Sequence, residues 1–152
     1  MNGKLHCPSY TSQIFDPRQF QDLVNNMSRK ILQLQDKLKL NCIAATGNSG
    51  LLLAGAVGFQ TKLPFFAVRK KSDSSHDPKM VNGFIPKLGA RYLIIDDLID
   101  TGLTIRRIIR RMQDSVSRSE PVGILLYNDY MDGKFRYPQR RIEIPIFPLT
   151  DY

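Results

Sequence analysis

Between Asp16 and Lys39 the apolar residues Phe20, Leu23, Val24, Met27, Ile31, Leu34 and Leu38 recur at the spacing that puts side chains on one face of a helix. Asp16 is placed to cap the first turn, and Pro17 suits the first helical position, where a missing N–H costs nothing. The pattern then shortens. Residues 41–46 (NCIAAT) read as a buried strand, residues 47–50 (GNSG) as a turn, and residues 51–59 as a second helix. Residues 64–69 (PFFAVR) form a second strand. Residues 70–83 mix Ser, Asp, Pro and Gly without a sustained period, which predicts a mobile loop.

Residues 91–96 (RYLIID) are apolar on both faces, as in a strand buried within a parallel sheet. In residues 104–116, Ile105, Ile108, Ile109 and Met112 share one helical side, while Arg106, Arg107, Arg110 and Arg111 share the other. Residues 122–127 and 141–147 are further strands, separated by the turn-rich segment 128–139. Strands alternating with helices imply βαβ units, hence an α/β fold with a mainly parallel central sheet flanked by helices and residues 92–96 near its middle. In such sheets ligands bind beyond the carboxyl ends of the strands. The loops at 46–50, 70–83 and 96–104 should therefore share one edge.

At 152 residues the chain is the size of one domain, and 42% hydrophobic with 24% charged residues is the balance of a packed protein rather than a disordered one. No apolar run approaches the ~20 residues needed to cross a bilayer, and MNGKLHCPSY lacks the apolar stretch of a secretory signal. The expectation is a soluble cytoplasmic protein with no membrane partner. Cys7 and Cys42 are too few for a disulfide framework and have no clustered His or Cys to suggest zinc; Cys42, in an apolar run, reads as core. A net charge of +8 favours anionic ligands, whether a polyphosphate or a nucleic acid.

The chemistry concentrates in residues 93–104, LIIDDLIDTGLT. A strand end would fix Asp96 and Asp97 where they can accept hydrogen bonds from vicinal hydroxyls or face a hydrated magnesium ion. Backbone N–H groups of residues 101–104, at a helix N-terminus, can bind a phosphate, with Thr101 and Thr104 adding hydroxyl donors and Gly102 permitting close approach. The plainer alternative makes Asp100 a helix cap and Asp96-Asp97 solvated strand-end charges. It accounts for one acidic residue and leaves the others unexplained.

This segment closely resembles the phosphoribosyl pyrophosphate signature of the type I phosphoribosyltransferases, and the resemblance runs in order over residues 41–127. It implies one phosphoribosyltransferase-like domain over residues 1–152. Asp96 and Asp97 would hold the ribose hydroxyls and orient magnesium through water. Asp100, Thr101, Gly102, Leu103 and Thr104 would take the 5-phosphate, with Asp100 the candidate general base. Thr46, Gly47, Asn48, Ser49 and Gly50, together with Arg69 and Lys70, would receive pyrophosphate. Lys71 and His76, with Lys79, resemble the flexible catalytic loop of the orotate-type members. This chain departs from the family in lacking the arginine and paired glycines common in the pyrophosphate turn, and the glycine after the loop histidine.

The resemblance also implies a homodimer and a variable hood for the acceptor base, drawn from residues 1–17, 128–139, or both. Tyr130, Phe135 and Tyr137 could stack on the base or pack the tail. The implied activity is transfer of the phosphoribosyl group to an orotate-like or purine base. The alternative is a regulator that keeps the ligand site, binds RNA on its basic surface and has little or no transferase activity. For the helix arginines a solvated face is the reading preferred over RNA.

Overall fold

The computed structural model describes residues 12–70, 80–128 and 133–149. Helix α1 (Ser12–Phe15) leads into α2 (Pro17–Leu38), where the Asp16 carboxylate accepts from the N–H of Arg18 at 2.9 Å and of Gln19 at 3.0 Å. Those bonds satisfy two of the amides a helix start leaves unpaired. Met27 and Ile31 on its apolar face are fully buried. The chain continues through β1 (Cys42–Thr46), α3 (Gly47–Thr61), β2 (Phe65–Val68), β3 (Val81–Gly83), β4 (Ala90–Asp96), α4 (Leu103–Ser115), β5 (Ser119–Leu126), β6 (Gly133–Tyr137), a 3-10 turn (Pro138–Arg140) and β7 (Ile142–Pro148).

The strands form one seven-stranded sheet in the order β3-β2-β1-β4-β5-β7-β6. The five strands β2, β1, β4, β5 and β7 are mutually parallel, and β3 and β6 lie antiparallel at the two edges. Central β4 is buried on both faces, as its unbroken apolar run requires. Tyr92 and Ile94 join Cys42 and Ala44 under Ile105, Ile108, Ile109 and Met112 of α4. Leu93 and Ile95 join Ile43 and Ala45 under Met27 and Ile31 of α2 and Leu53 and Val57 of α3. Cys42 is a buried free cysteine, and burial pushes its thiol up to about 12.

Three expectations change. Residues 47–50, read as a turn, are the first turn of α3, entered through Gly47 at a φ of 72°. Residues 81–83, assigned to the loop, form the edge strand β3; three residues are too few for alternation to register. Likewise β6 lies inside the segment read as turns, where only five strand residues run from Gly133 to Tyr137 before Pro138. No described helix is long and apolar enough to cross a membrane.

Candidate functional site

Because the five inner strands are parallel, the loops after β1, β2 and β4 all leave the same edge of the sheet. Beyond the last residue of β4 the backbone stays anchored: Tyr127 N–H donates to the Asp96 carbonyl at 3.2 Å, and Asn128 N–H to that of Asp97 at 3.0 Å. Two carboxylates are thereby held side by side. Asp96 Oδ1 accepts from the N–H of Asp97 at 3.1 Å, and Asp97 Oδ1 from the N–H of Leu98 at 2.9 Å. Burial, followed by the charge and side-chain contact of Asp97, pushes the Asp96 carboxyl up to about 7, against the opposing pull of the Asp97 backbone and of Lys70. The pair therefore favours added positive charge. Among the described residues no three His, Cys, Asp or Glu side chains converge as a closed metal cage. An adjacent, mutually repelling pair does fit a magnesium ion that keeps most of its water.

Residues 96–105 line a cavity of about 380 Å³. The N-cap of α4 is Gly102, at φ 72° and ψ 8°, and no side chain caps the helix. Asp100 is therefore not the cap of the plainer reading; it is exposed on the approach to the loop. Thr101 Oγ1 receives only a long bond, 3.4 Å, from the N–H of Leu103. First-turn amides without an intrahelical or side-chain partner, at the positive end of a helix dipole, are suited to an anion. Thr104 is half-buried at the cavity wall, and Leu103 is exposed.

A second cavity, about 260 Å³, is lined by Gly47, Asn48, Leu51, Val68, Arg69 and Lys70. Thr46 Oγ1 donates to the Val68 carbonyl at 2.6 Å, so this hydroxyl ties β1 to β2 at the point where both loops begin. Asn48 is exposed, Ser49 is half-buried, and Gly50 is buried where an added β-carbon would meet the Ile95 carbonyl at 3.8 Å. The Arg69 N–H donates to the Met80 carbonyl at 2.9 Å. With the Asn82 amide turned to donate to the Val81 carbonyl, its oxygen accepts from Arg69 Nη2 at 2.8 Å, which draws that guanidinium toward β3. Lys70 is directed instead toward Gly47 and Asp96. Lys71, His76 and Lys79 lie outside the described residues, as does Tyr130.

Two residues near the site carried other readings in the sequence. Phe135, a candidate for stacking on a base, is buried under α4 together with Tyr137, and its ring lies against Gly102. Arg106, read as part of a solvated face, donates from Nη1 to the Thr101 carbonyl at 3.1 Å and lies 5.4 Å from the centre of the Phe135 ring. No local pattern could have joined Phe135 to Gly102 and Arg106, which lie far from it in the chain. Arg110 does sit on an exposed face, 3.9 Å from Asp114 one turn on.

The phosphoribosyl transferase domain family matches residues 10–117 of this chain. The chain is similar to the hypoxanthine/guanine phosphoribosyltransferase of Methanosarcina barkeri, 27% identical over 104 residues that cover 60% of this chain and 54% of that protein. It thus spans about half the length of that curated relative. In fold it resembles adenine phosphoribosyltransferase from Saccharomyces cerevisiae, with a TM-score of 0.65, 15% identity and coverage of 90% of this chain and 82% of the other. It also resembles orotate phosphoribosyltransferase from Francisella tularensis, with a TM-score of 0.60, 15% identity and coverage of 78% and 55%. A family match across most of the chain, on a sheet whose one edge gathers the Asp96-Asp97 pair, the α4 N-terminus and the Gly47–Lys70 cavity, establishes that the chain belongs to the phosphoribosyl transferase domain family.

Proposed function

We propose that the protein transfers the 5-phosphoribosyl group of phosphoribosyl pyrophosphate to a ring nitrogen of an orotate-like or purine base, releasing pyrophosphate. The supporting observation is the common sheet edge, where an uncapped helix start adjoins a carboxylate pair and a lysine-lined cavity. The bond from the anomeric carbon to a pyrophosphate oxygen breaks, that carbon passes through an oxocarbenium-like state, and the base nitrogen forms the new bond. Little covalent chemistry falls to the protein, and its task is to position and stabilise charge. The amides of residues 101–104 and the Thr101 and Thr104 hydroxyls take the 5-phosphate. Asp96 and Asp97 accept from the ribose hydroxyls. Lys70 and the amides at Gly47, Asn48, Ser49 and Gly50 receive the departing pyrophosphate, with Thr46 holding that turn and Arg69 steadying the start of the next loop. Asp100 is exposed and lines the cavity, where it can accept a proton from the base. Lys71 and His76 complete the assignment as the catalytic residues that the resemblance to the orotate-type members implies. Magnesium, held through water by Asp96 and Asp97, would neutralise the polyphosphate charge.

The proposal includes a cytoplasmic homodimer. Leu52 and Phe59 of α3 and nearby Phe65 of β2 are exposed, an apolar surface suited to a second copy. The test of the reaction is a panel of orotate, uracil, adenine, guanine, hypoxanthine and xanthine, each with phosphoribosyl pyrophosphate and magnesium, scored for pyrophosphate release. Release with one base class supports transfer. No release with any of them, alongside retained ligand binding, would favour a regulator that has lost catalysis, a reading consistent with the missing arginine in residues 46–50 and the +8 charge. For that regulator, RNA affinity should fall steeply with salt as phosphate contacts are screened.

A further inference from the structure

We propose that Arg106 and Phe135 are positioning residues that set the phosphate loop, an inference that rests on reading residues 100–104 as the 5-phosphate site. Gly102 has a φ of 72°, and a β-carbon there would stand 2.7 Å from Phe135 Cε2 and 3.1 Å from Cζ. The ring therefore abuts the loop backbone directly. Phe135 is itself only 8% exposed, fixed opposite Ile144 by the pairing of β6 with β7. It acts as a floor supplied by a distant strand.

Arg106 acts from the same side, its Nη1 3.7 Å from the point a β-carbon on Gly102 would occupy. Its Nη1 holds the Thr101 carbonyl at 3.1 Å while the guanidinium lies over the Phe135 ring, 5.4 Å from the centroid. In a trans peptide the C=O and the following N–H point in opposite directions. Holding the Thr101 carbonyl on Arg106 thus turns the Gly102 N–H away from the guanidinium, the orientation a bound phosphate would use. The Arg106 backbone N–H closes the same turn on the Gly102 carbonyl at 3.0 Å. One residue thereby grips the loop at two successive carbonyls, and its side chain is in turn braced by the ring beneath Gly102.

This arrangement gives the hairpin of β6 and β7 a role in substrate binding without any contact to substrate. The segment considered as a base hood contributes, through Phe135, to the shape of the phosphate loop. A lysine at position 106 could still reach the Thr101 carbonyl, but without a planar group to lie on the ring.

The experiment is calorimetric titration of ribose 5-phosphate and, separately, of pyrophosphate into wild type, Arg106→Gln, Arg106→Lys and Phe135→Leu, with thermal melts on each. The expected result is a loss of about tenfold in ribose 5-phosphate affinity for Arg106→Gln, a smaller loss for Arg106→Lys and Phe135→Leu, and pyrophosphate affinity unchanged to within about twofold throughout. A merely structural role would weaken both ligands together, and that outcome overturns the proposal. So does a folded Arg106→Gln protein that binds ribose 5-phosphate like wild type, although the phosphate-loop reading then stands. Should Arg106→Gln fail to fold, Arg106→Lys decides alone: equal affinity for ribose 5-phosphate in that variant and wild type overturns the clamp. Failure of wild type itself to bind ribose 5-phosphate defeats the loop reading and the clamp with it.

Discussion

Lys70 Nζ lies 3.8 Å from the point a β-carbon on Gly47 would occupy, so the loop after β2 sets a cation against the first turn of the helix after β1. That contact joins two segments that are separate in sequence into one anion cavity. Lys70→Ala is expected to weaken phosphoribosyl pyrophosphate binding by about 1.5–3 kcal/mol, the usual cost of a lost charged partner, and ribose 5-phosphate by far less. Titration calorimetry with both ligands checks it. Equal losses would place Lys70 away from the pyrophosphate.

Thr101 and Gly102 separate chemistry from strain. Thr101 is exposed, so Thr101→Ala should leave the melting temperature within about a degree of wild type while weakening ribose 5-phosphate several-fold. Gly102→Val forces a branched side chain into a left-handed conformation and onto the Phe135 ring, and should cost at least about 1–3 kcal/mol of stability besides its effect on binding. Melts and titrations run on both variants measure the two effects separately. Wild-type affinity in a folded Gly102→Val protein would exclude the loop as a phosphate site.

The pH dependence of stability should carry the signature of Asp96. Its carboxyl rises from 3.8 to about 7 on folding, chiefly through burial and then through Asp97, so the folded protein holds a proton that the unfolded chain releases. Between those values the native state binds more protons than the unfolded state, and stability must fall as pH rises. The contribution is complete below about 4 and lost above about 7. Asp96→Asn should flatten this part of the profile and be more stable than wild type at pH values above the upper limit. Urea denaturation across the window tests the sign; an unchanged slope in Asp96→Asn would assign it to another group.

The exposed apolar surface on α3 makes a prediction about assembly. Phe59 is 90% exposed and Leu52 52%, too much apolar area for a helix that ends facing water. Wild type should scatter light as about twice 17.4 kDa, and Leu52→Glu combined with Phe59→Glu as a single chain with an unchanged fold by circular dichroism. A wild-type monomer at micromolar concentration would remove the dimer from the proposal.

Local pattern alone determined much of this protein. The amphipathic stripe from Phe20 to Leu38, the Asp16-Pro17 start and the apolar run ending at Asp96 depend on side-chain period and on which residues can begin a helix, and both are written in consecutive positions. The order of strands and helices then placed the loops after β1, β2 and β4 on one edge, since parallel strands leave no other choice. The edge strands β3 and β6 were not legible, because what makes Val81–Gly83 and Gly133–Tyr137 into strands is a neighbour's backbone rather than their own periodicity. Only the tertiary structure decided that Phe135 supports Gly102 and underlies Arg106, that Arg69 reaches toward Asn82 while Lys70 turns to Gly47, and that burial raises the Asp96 carboxyl. Each depends on distances between residues remote in the chain or on depth from solvent, quantities that exist only once the sheet has closed over its two cores.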